Sequence, residues 1–322
     1  AVELGKFELT AWPLAMQDML GVSFYDKADD EAYKLGFDEK KSELVLAGED
    51  VAHAWPHWTN LDHHNVRPLR EELQHSLRIP VENLPETLRV LVVGASSGQK
   101  ALEMARYFSD VEVIAVDEDL ANLAFGARKA RELGLENIVF WPWSLASQFI
   151  ADGHPVHYVE LSRMPSAQVT VSVDALIRQA LASGGVLHVN SGSFSQDTAD
   201  QQICALIDEH QLAPTADNLR ALRRLIMNSR NEGPWDALLT SDDFYAAAGC
   251  RRRWFQNENR GQTQALLDTL ANEMDWKLVK AKDADGEVLA SQPVQEQLRA
   301  QRMGKVQSLI GQGIHLYFRR RR

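Results

Sequence analysis

The chain has 322 residues, of which 45% are hydrophobic, and this is enough to bury a large core in one or two domains. It carries 34 basic and 45 acidic residues, a net charge of −11. Repulsion from phosphates argues against a protein that binds nucleic acid or an anionic membrane with its whole surface, although a local basic patch stays open. We therefore expect no nucleic-acid partner and no membrane partner.

The two cysteines, Cys204 and Cys250, lie far apart in the chain, which suits a reducing cytoplasm better than a disulfide framework. The first residues, AVELGKFELTAW, contain neither a basic segment nor an apolar run. No stretch reaches the roughly 20 apolar residues of a membrane span. These features predict a soluble, cytoplasmic protein.

Residues 1–84 are predicted to form an N-terminal arm with lid helices. The charged stretch at 24–41 is expected to be helical in part. The stretch VRPLREELQHSLRI places apolar side chains at Leu69, Leu73 and Leu77. This spacing predicts a helix with one buried face.

The hydrophobic period changes at residue 88. LRVLVVG is a continuous β-branched run that ends in glycine, which predicts a parallel strand buried on both faces. Four more strands are predicted at VEVIAVD, NIVFWPW, VHYVEL and GGVLHVNSGS, and three helices at QKALEMARYF, LANLAFGARKARELG and VDALIRQALASGG. The alternation of strands and helices predicts a parallel α/β sheet as the core, residues 85–194.

The rest of the chain divides into a helical insertion at 195–272 and a closing segment at 273–322. In the closing segment DWKLVKAK predicts a sixth strand, 294–311 a helix, and GIHLYFRRRR a seventh strand whose arginines could instead form a solvated tail. Two late strands after five strand–helix units suit a sheet whose last hairpin includes an antiparallel strand.

The turn after the first strand reads VVGASSGQKALEMA. Gly94 would let the chain turn tightly, Gly98 would permit close approach of a ligand, and the following helix would offer free N–H groups. The spacing G-x-x-x-G differs from the dinucleotide fingerprint and lacks the Lys-Ser/Thr pair of a phosphate-binding loop. By itself it could be a plain strand–helix turn.

An acid at the end of the second strand strengthens the prediction of a ligand site. In open α/β sheets ligands bind beyond the carboxyl ends of the strands, where Asp117 would accept bonds from ribose hydroxyls. The alternative is that Asp117 caps the next helix. Asp119 is also placed to do that, which would leave Asp117 freer to bind a ligand.

The stretch from VLVVGASSGQKALEMARYF to ARELGLENIVFW resembles the cofactor-binding half of class I S-adenosylmethionine (SAM) methyltransferases. AWPHWTN at 54–60, LAPTADNLRALRRLI at 212–226 and SDDFYAAAGCR at 241–251 are similar to segments of the bacterial subfamily often fused to tetratricopeptide repeats. No such repeat is present in this sequence.

The resemblance implies an α/β, Rossmann-like, seven-stranded sheet with helices on both faces, and SAM as the cofactor. SAM would lie over the turn that holds Gly94, Ser96 and Gly98, with its ribose on Asp117. Near this core, the resemblance places the remaining candidate cofactor residues at Gln99, Glu118, Ser144, Leu145 and Glu160.

Several residues depart from the family pattern. Ser96 replaces the middle glycine of the turn, and if that position needs a positive φ, serine costs about 1 kcal/mol or more. Ser144 replaces an acid, His157 stands where strand four usually has Asp, and the histidine pairs expected at 163–167 and 256–260 are missing. Such losses, clustered at the presumed site, are typical of a diverged enzyme or of a non-catalytic relative.

The acceptor side of the site is predicted from the same resemblance. The segment around Pro56 would fold over the cofactor as a lid, so that His57 or Trp58 touches the ligand. Phe244 and Tyr245 would line the substrate pocket, with Tyr245 the one phenol nominated as a catalytic group.

Arg251 belongs to a positive cluster with Arg253, Trp254 and Arg260 that could receive an anionic substrate. A solvated helix face paired with acids such as Asp242 and Asp243 is the favoured alternative.

Two other kinds of site are disfavoured. His53, His57, His63 and His64 crowd together, but Pro56 opposes a continuous helix, so a loop is favoured over a metal site and no metal ligand is assigned. Cys250 has no adjacent histidine and is interpreted as a packed small residue rather than a nucleophile.

Three functions remain open. The first is SAM-dependent methyl transfer to a small-molecule or peptide acceptor. The second is a catalytically inactive methyltransferase-like binding or scaffold subunit that partners another protein. Under either function a homo- or hetero-oligomer stays open. The third and weakest is a nicotinamide-dependent enzyme, which the G-x-x-x-G spacing and the late hairpin disfavour.

Overall fold

The computed structural model of the chain describes residues 56, 58–81, 84–146, 155–165, 172–190, 198–229, 233–255, 259–273, 275–283, 286–291, 294 and 314–321. The helices predicted at 24–41 and over most of 294–311 fall outside these residues. The chain divides into two compact units, one made of Ala1–Pro165 and Val169–Leu187 and the other of Ser166–Gln168 and His188–Arg322. The finer division into four segments stays a prediction.

The first unit contains parallel strands. They are β1 Leu88–Val93, β2 Val111–Asp117, β3 Ile138–Pro142 and β4 Val156–Leu161. β1 pairs in parallel with both β2 and β4, and β2 pairs in parallel with β3. Every side chain of β1 is buried except Arg89, which is partly buried, as its unbroken apolar run predicted.

The helices of the first unit begin at residues suited to helix starts. They are α1 Leu69–Glu71, which continues as a π-helical turn Glu72–Ser76, then α2 Gln99–Tyr107, α3 Leu120–Glu132 and α4 Val173–Ala180. Asp119 caps α3 by accepting the N–H of Ala121, and Ser172 caps α4 by accepting that of Ala175. The buried face predicted for this stretch is confirmed, because Leu69 in α1, Leu73 in the π-helical turn and Leu77 after it are all buried.

The second unit has helices at α5 Thr198–His210, α6 Ala216–Asn228, α7 Asp236–Leu239, α8 Asp242–Tyr245, α9 Ala247–Phe255 and α10 Asn259–Asn272. These helices occupy the predicted helical insertion. Their core is an apolar cluster that includes Ile203, Leu222 and Trp254. None of the helices in the described part of the chain combines the length and the apolar content that a membrane span requires.

Over the described residues the sheet has eight strands rather than the predicted seven, in the order β3-β2-β1-β4-β5-β8-β6-β7. β5 Leu181–Asn190 and β6 Trp276–Lys282 were predicted, as was β8 His315–Arg320. The extra strand, β7 Val288–Leu289, has two residues and is too short to produce a periodic signal. β8 is antiparallel to β6, which confirms the predicted antiparallel strand and rules out a solvated tail at Arg319.

One boundary was misplaced. The helix before β5 was predicted to continue to the glycines at 184 and 185, but α4 ends at Ala180 and β5 begins at Leu181. Leu181 has extended dihedrals (φ −74°, ψ 123°), which end the helix there. The apolar period alone could not separate the last helical turn from the first strand residues. The fold class itself is confirmed as α/β and Rossmann-like.

Candidate cofactor site

The strand order reverses at β1, because β2 and β3 follow on one side of β1 and β4 lies on its other side. β1 is parallel to both β2 and β4, so the loops after β1 and after β4 leave the same edge of the sheet at neighbouring positions. Val93 pairs with Val116 and with Leu161, which brings together the residues that follow these three strands. In open α/β sheets this switch point is where ligands bind.

The turn after β1 has three residues in the left-handed region. φ is +64° at Gly94, +51° at Ser96 and +86° at Gly98. The position of Ser96 thus does need a positive φ, the condition under which serine was expected to be costly. Serine strains the backbone there by about 1 kcal/mol relative to glycine. The turn is held by the N–H of Ala95 on the Val116 carbonyl and that of Gly98 on the Ala95 carbonyl, each at 3.0 Å.

Both glycines of the turn are required by the packing of the chain itself. A Cβ on Gly94 would overlap the backbone carbonyl of Arg163. A Cβ on Gly98 would lie 3.1 Å from the Cα of Gly126 and 3.1 Å from the ring of Phe140. The space beside Gly98, predicted to admit a ligand, is filled on that side by α3 and β3.

Asp117 ends β2 with its side chain fully buried. Its Oδ2 accepts the N–H of Ser96 at 2.8 Å, and its Oδ1 accepts the N–H of Asp119 at 2.9 Å. The guanidinium Nη2 of Arg163 lies 3.4 Å from Oδ1 and 3.5 Å from Oδ2. The expectation that Asp117 would be the freer of the two acids is wrong, because both of its carboxylate oxygens already accept hydrogen bonds within the chain. Asp119 caps α3, as predicted.

Arg163 is the residue at this site that sequence reasoning missed. Its side chain is 15% exposed, and Nη2 also lies 3.7 Å from Oε1 of Glu118. Burial lowers the pKa of Arg163, but Asp117, Glu118 and Asp119 raise it by more, so the side chain stays a cation. In the sequence it begins the stretch 163–167 where a histidine pair is missing, and its place soon after β4 is the signal that points to it.

Asp119 carries the clearest electrostatic perturbation of the site. Burial, followed by the neighbouring charge of Asp117, raises the pKa of Asp119 from 3.8 to about 6. The N–H groups of the cap and the charge of Arg163 oppose this shift. The loop after β2 therefore holds an acid that changes charge in mildly acidic solution.

The candidate adenine and methionine residues lie at the ends of β3 and β4. Residues 143–146 are helical, and Ser144 and Leu145 are half-buried there. The hydroxyls of Ser144 and Ser162 are buried and have no hydrogen-bond partner within the described ranges. Glu160 is buried on β4, where it accepts a bond from the Tyr158 hydroxyl at 3.2 Å.

Gln99 and Trp58 flank the turn. Gln99 is half-buried as the first residue of α2. Trp58 is buried, donates from Nε1 to the Ser97 carbonyl at 3.3 Å and packs edge-on against Phe125 at 5.6 Å. The Ser97 hydroxyl in turn donates to the Pro56 carbonyl at 2.6 Å. The segment thus covers the turn, as a lid would, whereas His57 lies outside the described residues.

His157, counted among the losses at the site, lies at the other end of the sheet. It is the second residue of β4, and its Nδ1 accepts the backbone N–H of Arg89 at 3.0 Å. Burial, and then the charge of Arg89, lowers the pKa of His157. The expectation that His157 belongs to the presumed site, with the departures at the turn, is therefore wrong.

The second unit holds the candidate acceptor residues. Tyr245 is 61% exposed, and its hydroxyl donates to the Leu239 carbonyl at 2.9 Å. Phe244 is buried in the core of the helical cluster and packs at an angle against Trp254. These placements leave the roles of both residues as predictions.

The arginine cluster is paired inside the unit, but with a different acid from those expected. Nε of Arg253 donates to both carboxylate oxygens of buried Asp200, at 2.7 and 2.9 Å, and Trp254 donates to the same carboxylate at 3.2 Å. Arg251 donates to the Pro214 carbonyl at 3.1 Å. Asp200 lies on α5, far away in sequence, whereas the pairing of the cluster with Asp242 and Asp243 stays a prediction.

The side chain of Cys250 is packed in the second unit. It is fully buried, and burial raises the pKa of its thiol, which fits the predicted inert residue. His63 and His64 are exposed. Over the described ranges no group of three or more histidine, cysteine or acidic side chains is placed to hold a metal ion.

Comparison with protein-family models and with curated proteins finds no match for the sequence. Among solved structures the chain is similar to PKMT2 from Rickettsia typhi, with a TM-score of 0.44 and 11% identity over 82% of this chain and 55% of that one. The same protein in complex with AdoHcy gives a TM-score of 0.42 and 13% identity over 80% and 54%. The chain thus spans about half the length of these neighbours.

A putative S-adenosyl-L-methionine-dependent methyltransferase from Methanococcus maripaludis is also similar, with a TM-score of 0.35 and 12% identity over 79% of this chain and 84% of that one. At these identities and TM-scores the likenesses assign neither a family nor a reaction to this chain.

Proposed function

We propose that the protein binds SAM at the switch point between β1 and β4 and transfers its methyl group to a small-molecule or peptide acceptor. One observation carries the proposal: the left-handed turn at Gly94–Gly98, the start of α2 and the carboxylate of Asp117 meet there, joined by the Ser96 N–H. A turn, a helix start and a strand-end acid suit a nucleoside with a ribose diol.

The polar atoms around the turn fit the ligand. Two buried hydroxyls, those of Ser144 and Ser162, have no partner within the described residues, and a buried hydroxyl in that state costs about 1–3 kcal/mol. Ser144 follows β3 and Ser162 follows β4. In the sheet these two strands flank the central pair β2 and β1, and Asp117 ends β2. An adenine at the Ser144 hydroxyl and a methionine moiety at the Ser162 hydroxyl would satisfy both.

The proposed contacts follow from these placements. Asp117 would accept the ribose hydroxyls, Ser144 and Leu145 would border the adenine, and Glu160 and Ser162 would border the methionine moiety. Gln99 and Glu118 would flank the nucleoside, and the indole of Trp58 would keep water from the turn. The bound SAM would supply a methyl group on a sulfonium, an activated donor whose transfer depends on proximity and alignment more than on an acid or base.

The chemistry therefore does not require the histidine pairs that the sequence lacks. Tyr245 remains the nominated phenol, with its hydroxyl proton donated to the Leu239 carbonyl. Phe244 and Arg251 remain candidates for acceptor contacts, and the acceptor itself stays a prediction, as do the cytoplasmic location and an oligomeric state.

Calorimetric titration with SAM and with S-adenosylhomocysteine tests the proposal. The wild-type protein should bind both ligands, and Asp117→Asn should lose at least tenfold in affinity because the ribose loses a charged acceptor. Asp174→Asn is the matched control, since Asp174 pairs with Arg178 on α4 in a half-buried ion pair. Absence of heat for either ligand at high micromolar concentration would refute the proposal.

A second candidate is a methyltransferase-like binding or scaffold subunit without transfer activity, in complex with another protein. Two observations favour it: Arg163 occupies the carboxylate of Asp117, and Ser96 strains the turn. Transfer of a labelled methyl group by the purified protein alone, lost in Asp117→Asn, would decide for the enzyme. Ligand binding without transfer to any acceptor tested would favour the subunit.

A further inference from the structure

We infer that Arg163 competes with the ribose for Asp117, so that a ligand reaches this carboxylate only by displacing its guanidinium with two hydroxyl donors. This inference rests on the proposed function, because it concerns the same carboxylate. It makes Arg163 a residue that lowers the affinity for nucleosides whose ribose diol binds Asp117.

The hydrogen-bonding capacity of Asp117 carries the inference. An ionised carboxylate offers about four lone-pair sites. Two are taken by the backbone N–H groups of Ser96 and Asp119, at 2.8 and 2.9 Å, and these belong to the fold of the turn. Arg163 lies 3.4 and 3.5 Å from the same two oxygens, at the edge of hydrogen-bond range. The guanidinium is thus the only one of these three partners that can leave without unfolding the turn.

The backbone of Arg163 is fixed while its side chain has somewhere else to go. The N–H of Arg163 donates to the Val93 carbonyl at 3.3 Å, and its own carbonyl packs against Gly94. Glu118 already lies 3.7 Å from Nη2. A rotation of the side chain toward Glu118 would free Asp117 and keep the positive charge paired, which avoids leaving a buried charge alone.

Displacement of the Arg163 guanidinium from Asp117 is more favourable for a diol than for a single hydroxyl. A vicinal diol can donate two hydrogen bonds to one carboxylate, which compensates for the loss of a guanidinium, whereas a deoxy sugar donates fewer. In part of the population Arg163 lies on Asp117, and only the remaining fraction has a free carboxylate. The apparent affinity for any ligand that needs Asp117 is reduced in proportion to that fraction.

The test compares Arg163→Met, which keeps much of the aliphatic stem and removes the charge, with the wild-type protein. Arg178→Met is the matched control, because Arg178 makes a half-buried ion pair with Asp174 on α4. The probes are S-adenosylhomocysteine, adenosine and the dideoxy analogue of adenosine, which lacks both ribose hydroxyls. Binding is measured by calorimetry, and Arg163→Lys replaces the methionine variant should that one not fold.

Arg163→Met should bind S-adenosylhomocysteine and adenosine about tenfold more tightly than the wild type, equivalent to about 1.4 kcal/mol. Its affinity for the dideoxy analogue should be unchanged, and Arg178→Met should match the wild type for all three probes. Arg163→Lys, which lacks the planar fork, should show a smaller gain.

Three results would overturn the inference. If the wild type binds S-adenosylhomocysteine and Arg163→Met binds it equally or more weakly, Arg163 is a ligand contact or a bystander, and the proposed function stands. An equal gain for adenosine and its dideoxy analogue would show that the guanidinium does not compete with the diol. If neither protein binds any of the probes, both the inference and the proposed function fail.

Discussion

The guanidinium Nη2 of Arg163 lies 3.4 Å from Oδ1 of Asp117, and both side chains are held at the point where β1, β2 and β4 end. The acid that the sequence marks as the ribose acceptor is therefore already paired within its own chain. This relationship joins the two candidate functions, because it is compatible with a ligand that displaces the arginine and with a subunit in which the pair is permanent.

Replacement of Asp119 by Asn should change how stability depends on pH. The folded-state pKa of about 6 lies above the ordinary 3.8, so between these values the folded protein binds more protons than the unfolded chain. The contribution of Asp119 to the free energy of unfolding therefore falls as pH rises through this window, by about 3 kcal/mol in total. Asn caps a helix as well as Asp does, but carries no charge to desolvate.

The free energy of unfolding of Asp119→Asn should thus rise relative to that of the wild type as the pH increases from about 4 to about 7. Urea unfolding at a series of pH values measures the difference. A constant difference between the two proteins over this range would contradict the assigned pKa.

Ser96→Gly should raise the free energy of unfolding by about 1 kcal/mol, because φ is +51° at Ser96 and glycine adopts that conformation without a Cβ penalty. The reciprocal control is Gly134→Ala, at φ +65° with no neighbouring atom within 4 Å of the new Cβ. It should cost about the same amount. Denaturant midpoints of the two variants check this, and a loss of stability in Ser96→Gly would point to an unrecognised role of its side chain.

Gly94→Ala should be much more destabilising than Gly134→Ala. The two glycines have nearly equal φ, +64° and +65°, so the backbone strain is the same. Only at Gly94 would the new Cβ overlap the Arg163 carbonyl, which adds about 1–3 kcal/mol of overpacking. Equal thermal or denaturant midpoints for the two variants would mean that the loop after β4 is not packed on the turn.

Asp200→Ala should destabilise the second unit by about 3 kcal/mol. Asp200 is buried and accepts bonds from Arg253 and Trp254, and removing one member of a buried pair leaves its partners uncompensated. Asp217→Ala breaks an exposed pair with Arg220 and should change stability by less than about 1 kcal/mol. Chemical denaturation followed by tryptophan fluorescence compares them, and similar small effects would show that the Asp200 network is not structural.

Much of the fold could be predicted because burial leaves a local periodic signal. β1 and β2 contain the apolar runs Val90–Val93 and Val113–Val116, and the cap at Asp119 is set by residues adjacent in sequence. The two-residue β7 leaves no period to detect, and the junction of α4 and β5 is apolar on both sides.

The site could be predicted only in part, for a related reason. Asp117 and the glycine turn are marked by their place after strands, and the condition placed on Ser96 followed from backbone sterics alone. The pairing of Arg163 with Asp117, and that of Arg253 with Asp200, depends on how distant segments meet. Neither the apolar period nor the spacing of residues along the chain reports on such long-range side-chain pairs.

A crystal structure of the protein soaked or grown with saturating S-adenosylhomocysteine tests the central claim most directly. The account predicts density for the ribose on Asp117, for the purine beside Ser144 and Leu145 and for the amino-acid moiety near Ser162, with Arg163 turned toward Glu118. A structure in which Arg163 stays on Asp117 and no nucleoside lies over the Gly94–Gly98 turn would contradict it.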